Sequence, residues 1–137
     1  MNKLKLILIL FIIHCALYIS PAQSFDDSLA VEIDSLGTNS AGANMGELKF
    51  SAIKFPSAMT SDTVFVQTKQ DEDGPWLDAY YLSSSGTKTR VHIVVQVSAL
   101  VGIHPLMTYF LNDWIRIVSD DAEADDRTLT LYGEKLE

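Results

Sequence analysis

A chain of 137 residues with 10 Lys and Arg against 18 Asp and Glu, net charge −8, has the length of one domain and too little basic charge to grip nucleic acid through its phosphates. The same balance disfavours adhesion to an anionic membrane surface and suits a basic partner or a cation. Cys15 is the only cysteine, so no disulfide can form within the chain, and stability must come from an ordinary hydrophobic core.

The first segment reads as an export signal. Lys3 and Lys5 precede an apolar run from Leu6 to Ile13, broken by His14 and resumed through Ile19. Pro21 follows, and Ala22 and Ser24 hold the small-residue positions for cleavage after Ser24. Residues 1–24 are therefore expected to be a signal peptide, leaving 25–137 as a single domain. A retained anchor is the rival reading; it would touch a membrane through Leu6 to Ile19, although that run falls short of the ~20 residues of a spanning helix. Cleavage would remove Cys15 and two lysines, leaving 8 basic residues against 18 acidic ones, a net of −10.

Beyond residue 25 the dominant pattern is period-two alternation rich in β-branched and aromatic residues. "LAVEID" (29–34) is a first strand. "ELKFSAIKF" (47–55) is a second, and its apolar phase slips between Phe50 and Ile53, as a bulge would require. "DTVFVQTKQ" (62–70) and "WLDAYYL" (76–82) follow, and "TKTRVHIVVQVSAL" (87–100) is long enough for one bent strand or two short ones. "HPLMTYFLND" (104–113) is the one place for a helical turn, with Pro105 near its start. "WIRIVS" (114–119) and "RTLTLYGE" (127–134) close the chain as an expected hairpin. Turn-rich stretches lie between, at 37–46, 71–75 and 83–86. About seven to eight short strands with close turns predict an all-β, antiparallel β-sandwich or jelly-roll-like fold, with a small barrel as the alternative.

Catalytic motifs are not found. "SSSG" (83–86) is not a nucleophile elbow, and the glycines of 37–46 lack the Lys-Ser/Thr ending of a phosphate loop. His92 and His104 have no partner at zinc-ligand spacing and are expected to make local hydrogen bonds. In the acidic run "SDDAEADD" (119–126), Asp121, Glu123 and Asp125 match positions 1, 3 and 5 of a calcium loop, but Asp126 stands where the turn needs Gly and Tyr132 where a bidentate Glu is needed. The run is read as a solvated tip facing a basic neighbour, with no cofactor and no metal. The same three carboxylates are kept as candidates for a binding surface. Trp76 and Tyr80 are the aromatic candidates, sharing one strand face with Tyr81 opposite; they form either a stacking platform for sugar or part of the core. Arg116 shares a face with Trp114 and is expected to pair with Asp113 or Asp126.

The order of the runs "KFPSAMTSDTVFVQTKQDEDG", "WLDAYYL", "IHPL", "WIRIVS" and "ADDRTLTL", spanning about residues 47–134, resembles that of small tailed-phage virion proteins. The resemblance implies a non-enzymatic β-sandwich in the virion, decorating a head or joining tail parts, in contact with other virion proteins and with copies of itself. No functional residue carries over. An export signal departs from that family, which leaves a start placed too far upstream, a membrane-containing particle, or reuse of the domain for export. The alternative function is an exported carbohydrate- or surface-binding module, periplasmic or extracellular after cleavage near Ser24.

Overall fold

The computed structural model describes residues 27–108, 111 and 113–135; the expected signal or anchor lies outside them. The described chain is mostly β, in antiparallel sheets, with eleven strands where fewer were expected. In order these are β1 (Asp27–Ile33), β2 (Ala43–Asn44), β3 (Leu48–Lys54), β4 (Thr63–Lys69), β5 (Leu77–Asp78), β6 (Tyr80–Leu82), β7 (Lys88–Arg90), β8 (His92–Val94), β9 (Leu100–Gly102), β10 (Trp114–Ser119) and β11 (Arg127–Lys135). A single helical turn, α1 (Pro105–Thr108), precedes β10. It falls where Pro105 predicted, and the His104 Nδ1 accepts from the Leu106 N–H at its start. Among the described residues no helix is long and apolar enough to cross a membrane.

Two sheets share one core. The first has the order β1-β11-β3-β9; the second runs β2-β10-β4-β5, with β8 also on β4. Alternation puts Val31, Ile33, Leu129 and Leu131 of the first sheet against Val64, Val66, Ile115 and Ile117 of the second, all buried. Each such side chain contributes about 1.5–3 kcal/mol relative to exposure, so this layer is the main source of stability in a cysteine-free domain.

The predicted bulge is present. Ala52 faces Tyr132 and Phe50 faces Gly133, which leaves Ser51 as the extra residue of β3. Gly133 is buried opposite the bulge, and a Cβ there would lie 2.6 Å from the Leu48 Cβ.

Two expectations fail. β10 and β11 do not form a hairpin: β10 pairs with β2 and β4, β11 with β1 and β3. Both strands are buried on one side, and the core needs one in each layer, so residues 120–126 cross from sheet to sheet. The run 76–82 is also not one strand. It forks at Ala79, because the edge of β4 serves two partners, β5 at Gln67 and Thr68, and β8 from Thr63 to Phe65. At the fork the Val66 N–H donates to the Val91 carbonyl, Val91 N–H to Ala79, and Ala79 N–H to Val66. All three residues are buried, and β6 and β7 leave the junction as a separate hairpin.

Candidate functional surface

The outward side of the second sheet is the most chemically distinctive surface of the described chain. Buried positions of β4 and β10 alternate with half-buried ones, and the registers pair Trp114 with Lys69, Arg116 with Gln67, and Val118 with Phe65. β5 adds Asp78 beside Gln67, and β8 adds His92 beside Phe65. These outward residues are large, aromatic or cationic where a solvated sheet face would carry short polar ones.

Cations and rings interleave across it. The Lys69 Nζ lies 4.8 Å from the Trp76 ring centroid and 4.9 Å from that of Trp114. Arg116 stacks on Trp76 at 4.8 Å, Arg90 on Phe65 at 3.9 Å, and the Lys88 Nζ sits 4.3 Å from the Tyr80 ring. The cation–π contacts found among the described residues fall on this sheet and on the β6–β7 hairpin that adjoins it. Such contacts are worth ~0.5–1 kcal/mol each when exposed and more once water is removed, so covering the face would strengthen them.

A polar relay runs through the same surface. Arg116 Nε donates to Gln67 Oε1 (2.8 Å), Gln67 Nε2 donates to Asp78 Oδ1 (2.8 Å), and Arg90 donates to the same oxygen at 2.8 Å. Arg116 thus pairs with an amide and a ring, not with Asp113 or Asp126. Asp126 instead accepts from the Ser35 N–H at 2.8 Å. Burial lowers the Arg116 guanidinium from its ordinary value. The Arg90 Nε is buried without a hydrogen-bond partner, an unfilled donor within the face. Four cations, Lys69 and Arg116 on the sheet and Lys88 and Arg90 on the adjoining β7, surround Asp78, and the Lys69 Nζ also donates to the Glu72 carbonyl of the acidic turn 71–73 at the edge.

Trp76 and Tyr80 both lie along this surface, although the one strand expected to carry them is broken at Ala79, and Tyr81 packs against the core. Tyr80 is the cross-strand partner of Arg90, whereas Trp76 shares Lys69 with Trp114 across the sheet. Trp76 rests on Gly42, where an added Cβ would come within 2.8 Å of the indole. Sequence reasoning missed Phe65, Lys69 and Arg90. The available signal was the set of outward positions 63, 65, 67 and 69 of β4, a central strand that carries Phe, Gln and Lys on its solvent side. His92 makes a local contact with the Arg90 carbonyl at 3.2 Å.

The acidic loop is not merely a solvated tip. Asp121 and Asp125 are exposed, and Asp125 accepts from Arg127 at 3.3 Å. Glu123 is 0% exposed and turned inward, so it belongs to no surface. Its carboxylate accepts from the Thr60 N–H (2.7 Å), the Ser61 N–H (3.4 Å), the Ser119 hydroxyl (2.5 Å) and Arg127 Nε (3.4 Å). Burial pushes its pKa up, but the hydrogen bonds from Ser119 and from Thr60 and Ser61 outweigh this and hold it below the ordinary value. Among the described residues no three His, Cys, Asp or Glu side chains cluster to hold a metal.

The loop is also tied to the turn after β1. The Leu36 N–H donates to the Glu123 carbonyl (2.7 Å) and the Glu123 N–H to the Gly37 carbonyl (3.0 Å). Leu36 sits at φ 63° and is 83% exposed. A left-handed, solvent-facing leucine costs about 1–2 kcal/mol that packing within the chain does not return.

No protein-family model matches the chain, and no curated protein matches it. Among solved structures it is similar to the SPBc2 prophage-derived protein YomS, at 11% identity and a TM-score of 0.45, covering 83% of this chain and 98% of that one.

Proposed function

We propose that the chain is a non-enzymatic structural protein of phage-type virions, a jelly-roll-like β-sandwich assembled in many copies. Its outer face of β4, β10, β5 and β8 is the surface that meets neighbouring virion proteins. The observation that carries this reading is the interleaved lattice of Trp76, Trp114, Phe65 and four cations across the second sheet and the adjoining β6–β7 hairpin. Rings and arginines fixed by one another lose little entropy when covered, which is what an assembly contact needs. The motif order of residues 47–134 supports the virion setting. Mass spectrometry of purified particles tests it: the chain should be present in stoichiometric amounts, and its absence would remove the proposal.

A second reading rests on one specific feature. Trp76 and Trp114 flank Lys69, with Gln67, Asp78 and the unfilled Arg90 donor alongside, and this is the mixture of ring and polar group that binds sugar. Under it the chain is an exported carbohydrate-binding module, released after cleavage near Ser24. Retention on a polysaccharide that is lost in Trp76→Ala, with the fold intact by circular dichroism, would select it. Recovery of the chain in particles, with no retention, would select the first.

A further inference from the structure

We infer that the face accepts a second copy of this chain, and that the docking element is the 120–126 loop with Leu36 beside it. The inference rests on reading the face as a contact surface and adds the identity of its occupant. Charge complementarity carries it. The face holds Lys69, Lys88, Arg90 and Arg116 around Asp78, with the acidic turn 71–73 only at its edge beyond Lys69, whereas the loop presents Asp120, Asp121, Asp125 and Asp126, all exposed.

The loop is rigid where a free acidic tip would be loose. Glu123 anchors its centre in the interior, and backbone bonds join it to Leu36 and Gly37. It therefore presents its carboxylates already ordered, with an exposed leucine next to them. That pairing matches the face, which offers cations between apolar rings. Leu36 also gains a purpose that its strained, solvent-facing position lacks in one isolated copy.

The Lys69 and Trp114 end of the face lies far from the loop of its own molecule. Trp114 begins β10 and Ser119 ends it, about 17 Å apart at the usual strand rise, and the loop leaves from the far end. Face-to-face pairing of two copies would oppose the same cations. Loop-on-face contact is instead head-to-tail, and repeated head-to-tail contacts build a ring or a filament. A protein present in many copies needs such a contact.

The test is sedimentation of the protein produced from the full chain, over a range of concentrations and salt. The wild type should associate reversibly and weaken as salt rises. Lys69→Glu with Arg116→Glu, and separately Asp120→Lys with Asp121→Lys, should each weaken association by at least about tenfold. The second pair lies on the exposed loop, away from the core, so it tests the contact without threatening the fold. Mixing the two double variants should restore association, because each supplies the partner the other lacks. A wild type that stays monomeric throughout, association unchanged in either variant, or a mixture that does not reassociate would overturn the inference. The broader reading is judged separately in particles: if the Lys69 face is covered there by a different protein, the contact surface stands and self-docking falls. If it is uncovered there, both fall.

Discussion

The Ser119 hydroxyl donates a 2.5 Å hydrogen bond to the carboxylate of Glu123, four residues further on and wholly buried. Ser119 ends a strand of the second sheet, and Glu123 lies in the crossing to the first, so this bond and the Thr60 and Ser61 N–H groups pin the crossing to the second sheet, while Arg127 reaches the same carboxylate from β11. Glu123→Gln replaces an acceptor by an amide whose N–H₂ faces donors, and should cost about 2–4 kcal/mol in chemical denaturation. Because the folded-state pKa lies below the ordinary 4.5, the charged form stabilises the fold fully above pH 4.5. That contribution is lost as pH falls further, through the depressed folded value. Wild type should lose stability through that acid range more steeply than Glu123→Gln. Parallel pH dependence of the two would contradict the assignment.

Gly42 sets the position of Trp76. A Cβ at residue 42 would approach the indole to 2.8 and 3.1 Å, so Gly42→Ala must push the ring off the sheet. The substitution should leave the melting temperature within a few degrees, since Trp76 is only half-buried. It should shift tryptophan emission and reduce binding to whatever covers the face. Unchanged emission would show that the ring does not rest there.

Gly133 faces the Ser51 bulge from β11. Its added Cβ would meet the Leu48 Cβ at 2.6 Å and the Met45 Cε at 3.1 Å. Gly133→Ala should therefore destabilise by ~1–3 kcal/mol through overpacking, measured by urea denaturation. A neutral result would place the β3–β11 register elsewhere.

Leu36→Gly should do the opposite. Its φ of 63° is free for glycine and strained for leucine, so the variant should gain about 1 kcal/mol in thermal stability while self-association weakens. Stabilisation without any effect on association would separate Leu36 from the docking element.

Much of the fold was legible because strands announce themselves by alternation: β1, β3, β4, β10 and β11 lie where the runs placed them, and the Phe50–Ile53 phase slip marked the bulge. Which sheet a strand joins was not legible. "WIRIVS" and "DRTLTL" alternate equally well as hairpin partners or as members of opposite layers, and only the closed core decides. The two-residue β2 carries no period at all. Half of the surface was visible in Trp76, Tyr80, Trp114 and Arg116. The other half, Phe65, Lys69 and Arg90, joins it through cross-strand register, which sequence order does not contain. Glu123 was misread for a similar reason: its burial is set by Thr60, Ser61 and Ser119, and two of those three lie more than fifty residues away.

Cross-linking mass spectrometry on intact particles, with a reagent that joins lysines to carboxylates, tests the central claim most directly. The account predicts that the chain is in the particle and that Lys69 is joined to a residue of a neighbouring chain, with Asp120 or Asp121 of a second copy as the expected partner. A particle fraction without the chain, or one in which Lys69 reacts only with free reagent as an open surface would, contradicts it.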